Sequence, residues 1–135
     1  MNVYVFGNPL VPGDSGPERM LANLKEKFSE HTFIITDPND SFPLFNERNP
    51  IIFDTIKKLS RPHVFRFEDL ISNGTPLVSG HDYDLFVHLS LLKKLRRIDS
   101  VTIIGMPEVA EVSSQLAEEL IKIFSSVFST KASEL

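Results

Sequence analysis

Asp14, Asp54 and His81 are the residues of this chain whose types and contexts could do chemistry together. Two carboxylates and an imidazole form an oxygen and nitrogen set suited to zinc, nickel, iron or manganese, and converging titratable groups in one crevice are the usual mark of a site. Each also has an ordinary structural role open to it. Asp14 can accept hydrogen bonds from its own loop, Asp54 can serve as a strand-end acceptor, and His81 can bond at a helix entrance. Asp14 lies in Gly7-Asn8-Pro9-Leu10-Val11-Pro12-Gly13-Asp14-Ser15-Gly16-Pro17-Glu18, between an apolar run and a helix start. A dinucleotide loop would need Gly-x-Gly-x-x-Gly here, and a P-loop Gly-Lys-Ser/Thr, each giving bare N–H groups to an anion. This loop carries an acid instead, which turns it toward a cation or a polarised group and away from a nucleotide.

Gly13-Asp14-Ser15-Gly16-Pro17 also shares its text with the nucleophile loop of chymotrypsin-like serine proteases. Those enzymes place their histidine and aspartate far upstream on two β-barrels, whereas only twelve residues precede Gly13. Ser15-x-x-Glu18 with Pro17 reads more simply as a capping box opening a helix.

The elements that must position the three residues follow from hydrophobic period. Met1 to Phe6 reads as a strand buried on both faces, and Gly16 to Phe28 as a helix with Met20, Leu21, Leu24 and Phe28 inward. Thr32 to Thr36 supplies the next strand and completes a parallel βαβ unit, closed by the turn formers Asp37-Pro38-Asn39-Asp40. Ser41 to Pro50 has no period and reads as a loop or a shortened helical excursion. Ile51 to Ile56 is again continuously apolar except for Asp54 and Thr55, so the carboxylate must reach a partner or the strand's open end.

His63 to Phe67 fits a further strand and Glu68-Asp69-Leu70 a short turn or helix. Val78 to Asp84, holding His81, leads into a helix from Leu85 to Arg97 with Leu85, Leu89, Leu92 and Leu95 on its apolar side. Ser100 to Gly105 is a last strand, Val112 to Phe128 a closing amphipathic helix, and the tail from Ser129 is expected to fray. His88 reads as a core-edge residue, while His31 and His63 fall in turn contexts and carry no pattern. Parallel strands at Val3 and Ile51 would bring Asp14, Asp54 and His81 to one edge, where open α/β sheets bind ligands. The fold class expected is α/β: a single three-layer α/β/α domain over residues 1–135 with a mostly parallel central sheet.

Gly7-Asn8-Pro9-Leu10 with Asp14, Phe53-Asp54-Thr55, Ser79-Gly80-His81 with Leu85 and Leu89, and Ile104-Gly105-Met106-Pro107 occur in an order that resembles the nickel-iron hydrogenase maturation endopeptidases. That family typically opens Gly-Asn-x-Leu-x-x-Asp-Asp/Glu-Gly-x-Gly, ends a core strand in apolar-apolar-Asp-Ala and enters a helix through Ser/Thr-x-His. The resemblance implies a nickel-recognising set of Asp14, Asp54 and His81 that also serves cleavage, with nickel supplied by the substrate and no tightly bound cofactor of the enzyme's own. It implies as partner the precursor of a nickel-iron hydrogenase large subunit, whose C-terminal extension is removed after nickel insertion. The chain departs from the pattern at Gly13, which replaces the first acid of the pair, and at Asp37-Pro38, where the family has Asp-Gly-Gly. Those departures suit an alternative, a non-catalytic relative that binds a metal or a hydrogenase subunit without cleavage.

Composition excludes other classes. With 135 residues, 41% of them apolar, the chain suits one compact core. Its 14 Lys plus Arg against 18 Asp plus Glu give a net charge of −4, no footprint for nucleic acid or an anionic membrane. Cysteine is absent, which removes disulfides, thiolate metal sites and cysteine nucleophiles. No apolar run is long enough to insert in a membrane and no leader pattern precedes the first strand, so a cytoplasmic location is expected.

Overall fold

The computed structural model describes residues 1–6, 15–36, 47–56, 59–72 and 89–134. The sheet has five strands, β1 (Asn2–Val5), β2 (Thr32–Ile35), β3 (Ile51–Thr55), β4 (His63–Arg66) and β5 (Thr102–Met106), in the spatial order β2-β1-β3-β5-β4. Every pairing is parallel except that of β4 with β5, which is antiparallel and makes β4 an edge. All five residues of β3 are buried, as the central strand of a sheet covered on both faces requires.

Alternation along the strands sorts the core into two layers. Val3, Val5, Ile51, Phe53, Ile104 and Met106 face one way, toward α1 (Gly16–Arg19), α2 (Leu21–Lys27) and α5 (Ser114–Ser133). Tyr4, Phe6, Ile52 and Ile103 face the other, toward Phe67 of α3 (Phe67–Ser72) and Leu89 and Leu92 of α4 (described over 89–94). Helices therefore lie on both sides of a mostly parallel sheet, the α/β layering expected. The first layer is built from aromatic rings: Phe124 of α5 meets Phe53 edge-on at 5.0 Å, and Phe128 meets Phe28 at 5.2 Å. Such pairs contribute about 1 kcal/mol each beyond the area they bury. Among the described residues no helix is long and apolar enough to cross a membrane.

Several expectations are corrected. The first helix starts after Ser15 as read, but the Ser15 hydroxyl makes no capping bond. The helix is also divided: the Met20 N–H reaches both the Gly16 and Pro17 carbonyls at 3.2 Å, a local tightening between α1 and α2. Helix α4 stops before Arg97. Arg96 takes φ 59° and the N–H groups of Arg96 and Arg97 return to the carbonyls of Lys93 and Leu92, a Schellman closure with arginine where glycine is usual. The turn leaves Leu95 exposed, not inward. Helix α5 begins and ends later than expected: the Ser113 hydroxyl caps the Leu116 N–H at 3.1 Å, and the segment thought frayed stays helical to Ser133. His63 opens β4, where the strand expected from His63 to Phe67 begins, and His31 stacks on Phe128 at 3.8 Å.

The amino-terminal edge of the sheet is fastened by Arg48, whose Nε and Nη2 donate to Asp99 at 2.9 and 2.8 Å while Nη2 also reaches the Arg96 carbonyl. These hydrogen bonds hold Asp99 below the usual carboxylate range. Lys93 on α4 donates to Glu68 on α3, tying the two helices together. Burial, the largest single influence, opposes ionisation of Glu68, but the Lys93 hydrogen bond, a backbone hydrogen bond and the charges of Lys93 and Arg66 together outweigh it, and the carboxyl lies below its ordinary range.

Candidate functional site

Parallel pairing of β1 with β3 sets Val5 beside Phe53, so both strands end at the same edge of the sheet. The ladder runs one residue further there: the Phe6 N–H bonds the Phe53 carbonyl at 2.9 Å and the Ile56 N–H the Met106 carbonyl at 3.0 Å. From β1 the chain goes through α1 and α2 to β2 on one side, while β3 and β5 lie on the other. The ends of β1 and β3 therefore flank a topological switch point, the place where open α/β sheets form a ligand crevice.

Asp54 is the next-to-last residue of β3 at this edge, only 3% exposed. Its Oδ1 accepts a hydrogen bond from the Thr55 N–H at 2.8 Å, which orients the carboxylate. A carboxylate this buried costs several kcal/mol unless charge and hydrogen bonds compensate it. Beside it on β5 stands Gly105, and a Cβ there would come within 2.7 Å of Ile56 Cδ1, so glycine lets Ile56 and Leu59 fold back over the strand ends.

On the opposite face Thr55 pairs in register with Met106, and Gly16 at the start of α1 packs onto the Met106 thioether, where an added Cβ would lie 2.5 Å from Cε. The N-terminus of α1 is thereby held over the ends of β3 and β5. Ser15 is buried there at 4% exposure. Thr55 Oγ1 is buried with no hydrogen-bond partner among the described residues.

Of the three residues expected to converge, Asp54 lies at the expected edge. Asp14 and His81 lie outside the described residues, as do the Gly7–Leu10 motif and the loop through Asp84. Among the described residues no group of three His, Asp or Glu side chains could hold an ion. Two features at this edge were not singled out in the sequence. One is the Thr55 hydroxyl. The other is His63, which pairs with Gly105 across β4 and β5 and so stands in the same row as Asp54, two strands or about 9–10 Å away. Residue type alone carries no signal for that placement; only strand register does.

A cavity of about 620 Å³ opens at the opposite, amino-terminal edge, lined by Asn2, Glu47, Arg48, Ser100 and Lys131 among others. Asn2 is hydrogen-bonded to Glu47 within it, and Arg48 to Asp99 beside it.

No protein-family model matches the sequence, and no curated protein matches it. Solved structures do. The chain superposes on the hydrogenase maturating endopeptidase HybD from E. coli with a TM-score of 0.67 at 16% identity, over 99% of this chain and 94% of that one. The [NiFe] hydrogenase maturation protease HybD from Thermococcus kodakarensis gives 0.69 at 20% identity, over 94% and 99%. An endopeptidase from Escherichia coli gives 0.55 at 20%, over 79% and 74%. The resemblance carried by the glycine loop, the strand ending Phe53-Asp54-Thr55 and the last strand thus holds for the whole architecture: the chain has the fold of the hydrogenase maturation endopeptidases.

Proposed function

We propose that the protein is a maturation endopeptidase that removes the C-terminal extension of a nickel-iron hydrogenase large-subunit precursor once nickel is in place. The observation that carries this reading is Asp54, a buried carboxylate held by the Thr55 N–H at the end of β3, beside the switch point of a fold shared with such proteases. In this reading Asp14, Asp54 and His81 recognise the nickel that the substrate brings. Divalent nickel would stabilise negative charge developing on a scissile carbonyl or lower the pKa of an attacking water. The protein's contribution is to hold ionised oxygen ligands and orient the precursor.

The test is incubation with nickel-loaded and nickel-free precursor, following release of the extension by mass spectrometry. Cleavage should require nickel, and Asp54→Asn should lower kcat/KM by at least about a hundredfold while preserving the melting curve, because the amide keeps the Thr55 bond but not the charge. Equal cleavage of both precursors would refute nickel recognition. A second reading is favoured by Gly13, which stands where the family pattern has an acid: a relative that binds the nickel-loaded precursor without cutting. Nickel-dependent binding without release of the extension would select it.

A further inference from the structure

Helix α4 presents two leucines to solvent that the core does not use. Leu91 is 53% exposed and Leu95 59%, and the Leu95 N–H bonds the Leu91 carbonyl at 2.9 Å, so the two stand one turn apart on the same side. Among the described residues the other exposed large apolar side chains, Met1, Ile35 and Val64, are scattered over separate elements, as is ordinary for a protein surface. The leucine pair is contiguous, and its helix is anchored. Leu89 and Leu92 are buried in the layer beneath, Lys93 is drawn to Glu68, and Arg48 holds the Arg96 carbonyl.

The rim of the pair has one sign. Lys94, Arg96 and Arg97 are exposed, and among the described residues their side chains make no ion pair. The segment from Leu91 to Arg97 contains no acid, in a chain whose net charge is −4. Asp99, the acid next along the chain, is occupied by Arg48. A helix turn with two apolar anchors inside three exposed cations complements a surface with an apolar centre and an acidic border. An anionic membrane fits less well, because one turn of helix offers two leucines, far short of an interfacial helix, on an otherwise acidic protein.

We propose that Leu91 and Leu95, bordered by Lys94, Arg96 and Arg97, form a docking face for an acidic, apolar-centred surface on the protein substrate, outside the cleavage site. The substrate is the hydrogenase precursor, so the inference rests on the function proposed above. Docking at this face sets affinity for the precursor and leaves the bond-breaking groups at the end of β3 untouched.

Steady-state processing of nickel-loaded precursor tests it with wild type, Leu91→Ser/Leu95→Ser and Lys94→Glu/Arg97→Glu. Folding of each variant is checked by circular dichroism. Both variants should raise KM about tenfold or more and change kcat far less. The charge variant should also flatten the rise of KM with salt, and Leu91→Met/Leu95→Met should keep wild-type KM. If the wild type processes the precursor and folded variants keep its KM, the docking face is overturned and the proposed function stands. If the wild type neither binds nor cleaves the precursor, both fall. Conversion of a dimer to a monomer by the leucine variant in sedimentation would reassign the face to a self-interface. Binding to phosphatidylserine vesicles that the variants lose, with KM unchanged, would reassign it to a membrane. Either result overturns the proposal.

Discussion

Asp54 and His31 are polar groups whose surroundings the fold fixes closely. For Asp54 the Thr55 N–H supplies one compensating bond, and its place on the central strand supplies rigidity: five buried residues in register with two neighbours leave the carboxylate no freedom to drift. For His31 the surroundings act on protonation. Burial first, and then the Met1 ammonium 3.0 Å from Nδ1, push its pKa below the ordinary 6.5, with Glu30 opposing weakly. Folding thus favours the neutral ring, which stacks on Phe128 and accepts at Nδ1. Between the lowered folded value and 6.5 the unfolded chain binds more protons than the folded one, so stability rises with pH across that window. The contribution is complete above the unfolded value and is lost as pH falls through the folded one. Urea unfolding should therefore show a lower midpoint near pH 5 than near pH 8, and His31→Phe, which keeps a ring against Phe128, should flatten that difference. An unchanged slope in the variant would show that His31 titrates alike in both states.

Strands β1, β3 and β5 fall where continuous apolar runs place them, because burial on both faces leaves a signature independent of distant contacts. Ile51 to Ile56 is the clearest case, and it also exposed Asp54 as the charge needing an explanation. Helix ends were less legible. Leu85, Leu89, Leu92 and Leu95 share a helical period, but the backbone leaves the helix at Arg96 and turns Leu95 outward. The polar text after Phe128 suggested fraying, while the helix continues and the Ser133 hydroxyl bonds back to the Ser129 carbonyl at 2.9 Å. His63 and the Thr55 hydroxyl escaped notice because register, not residue type, brings them to the edge that holds Asp54. Asp14 and His81 were singled out from sequence and lie outside the described residues. The Schellman closure yields a prediction of its own. Arg96 at φ 59° bears a steric cost of about 1 kcal/mol that glycine does not, while its carbonyl bond to Arg48 needs no side chain. Arg96→Gly should raise stability to denaturant by up to about that amount, less the extra freedom glycine gains when unfolded. A clear loss of stability would mean that the Arg96 side chain itself holds the turn.

At the scale of the whole molecule, the two apolar layers and the proposed chemistry occupy different parts of the sheet. Phe28, Phe33, Phe53, Phe124 and Phe128 fill one layer, and Tyr4, Phe6, Ile52, Phe67 and Leu89 fill the other, all of them buried. Asp54 meets this core only at its carboxyl edge, where the backbone hydrogen bonds of Phe6 and Ile56 close the strands. A protein that reads nickel in its substrate has to fold before the metal arrives, and this division of labour permits it. Chelator treatment of the purified protein should therefore leave its far-ultraviolet dichroism unchanged and its melting midpoint within about a degree, whereas a structural metal would carry a large share of the folding free energy. Added nickel alone should raise the midpoint only as far as binding to the folded state requires, and Asp54→Asn should remove that rise. Unfolding on chelation would show that the chain depends on a metal of its own, and the assignment of the ion to the substrate would fail with it.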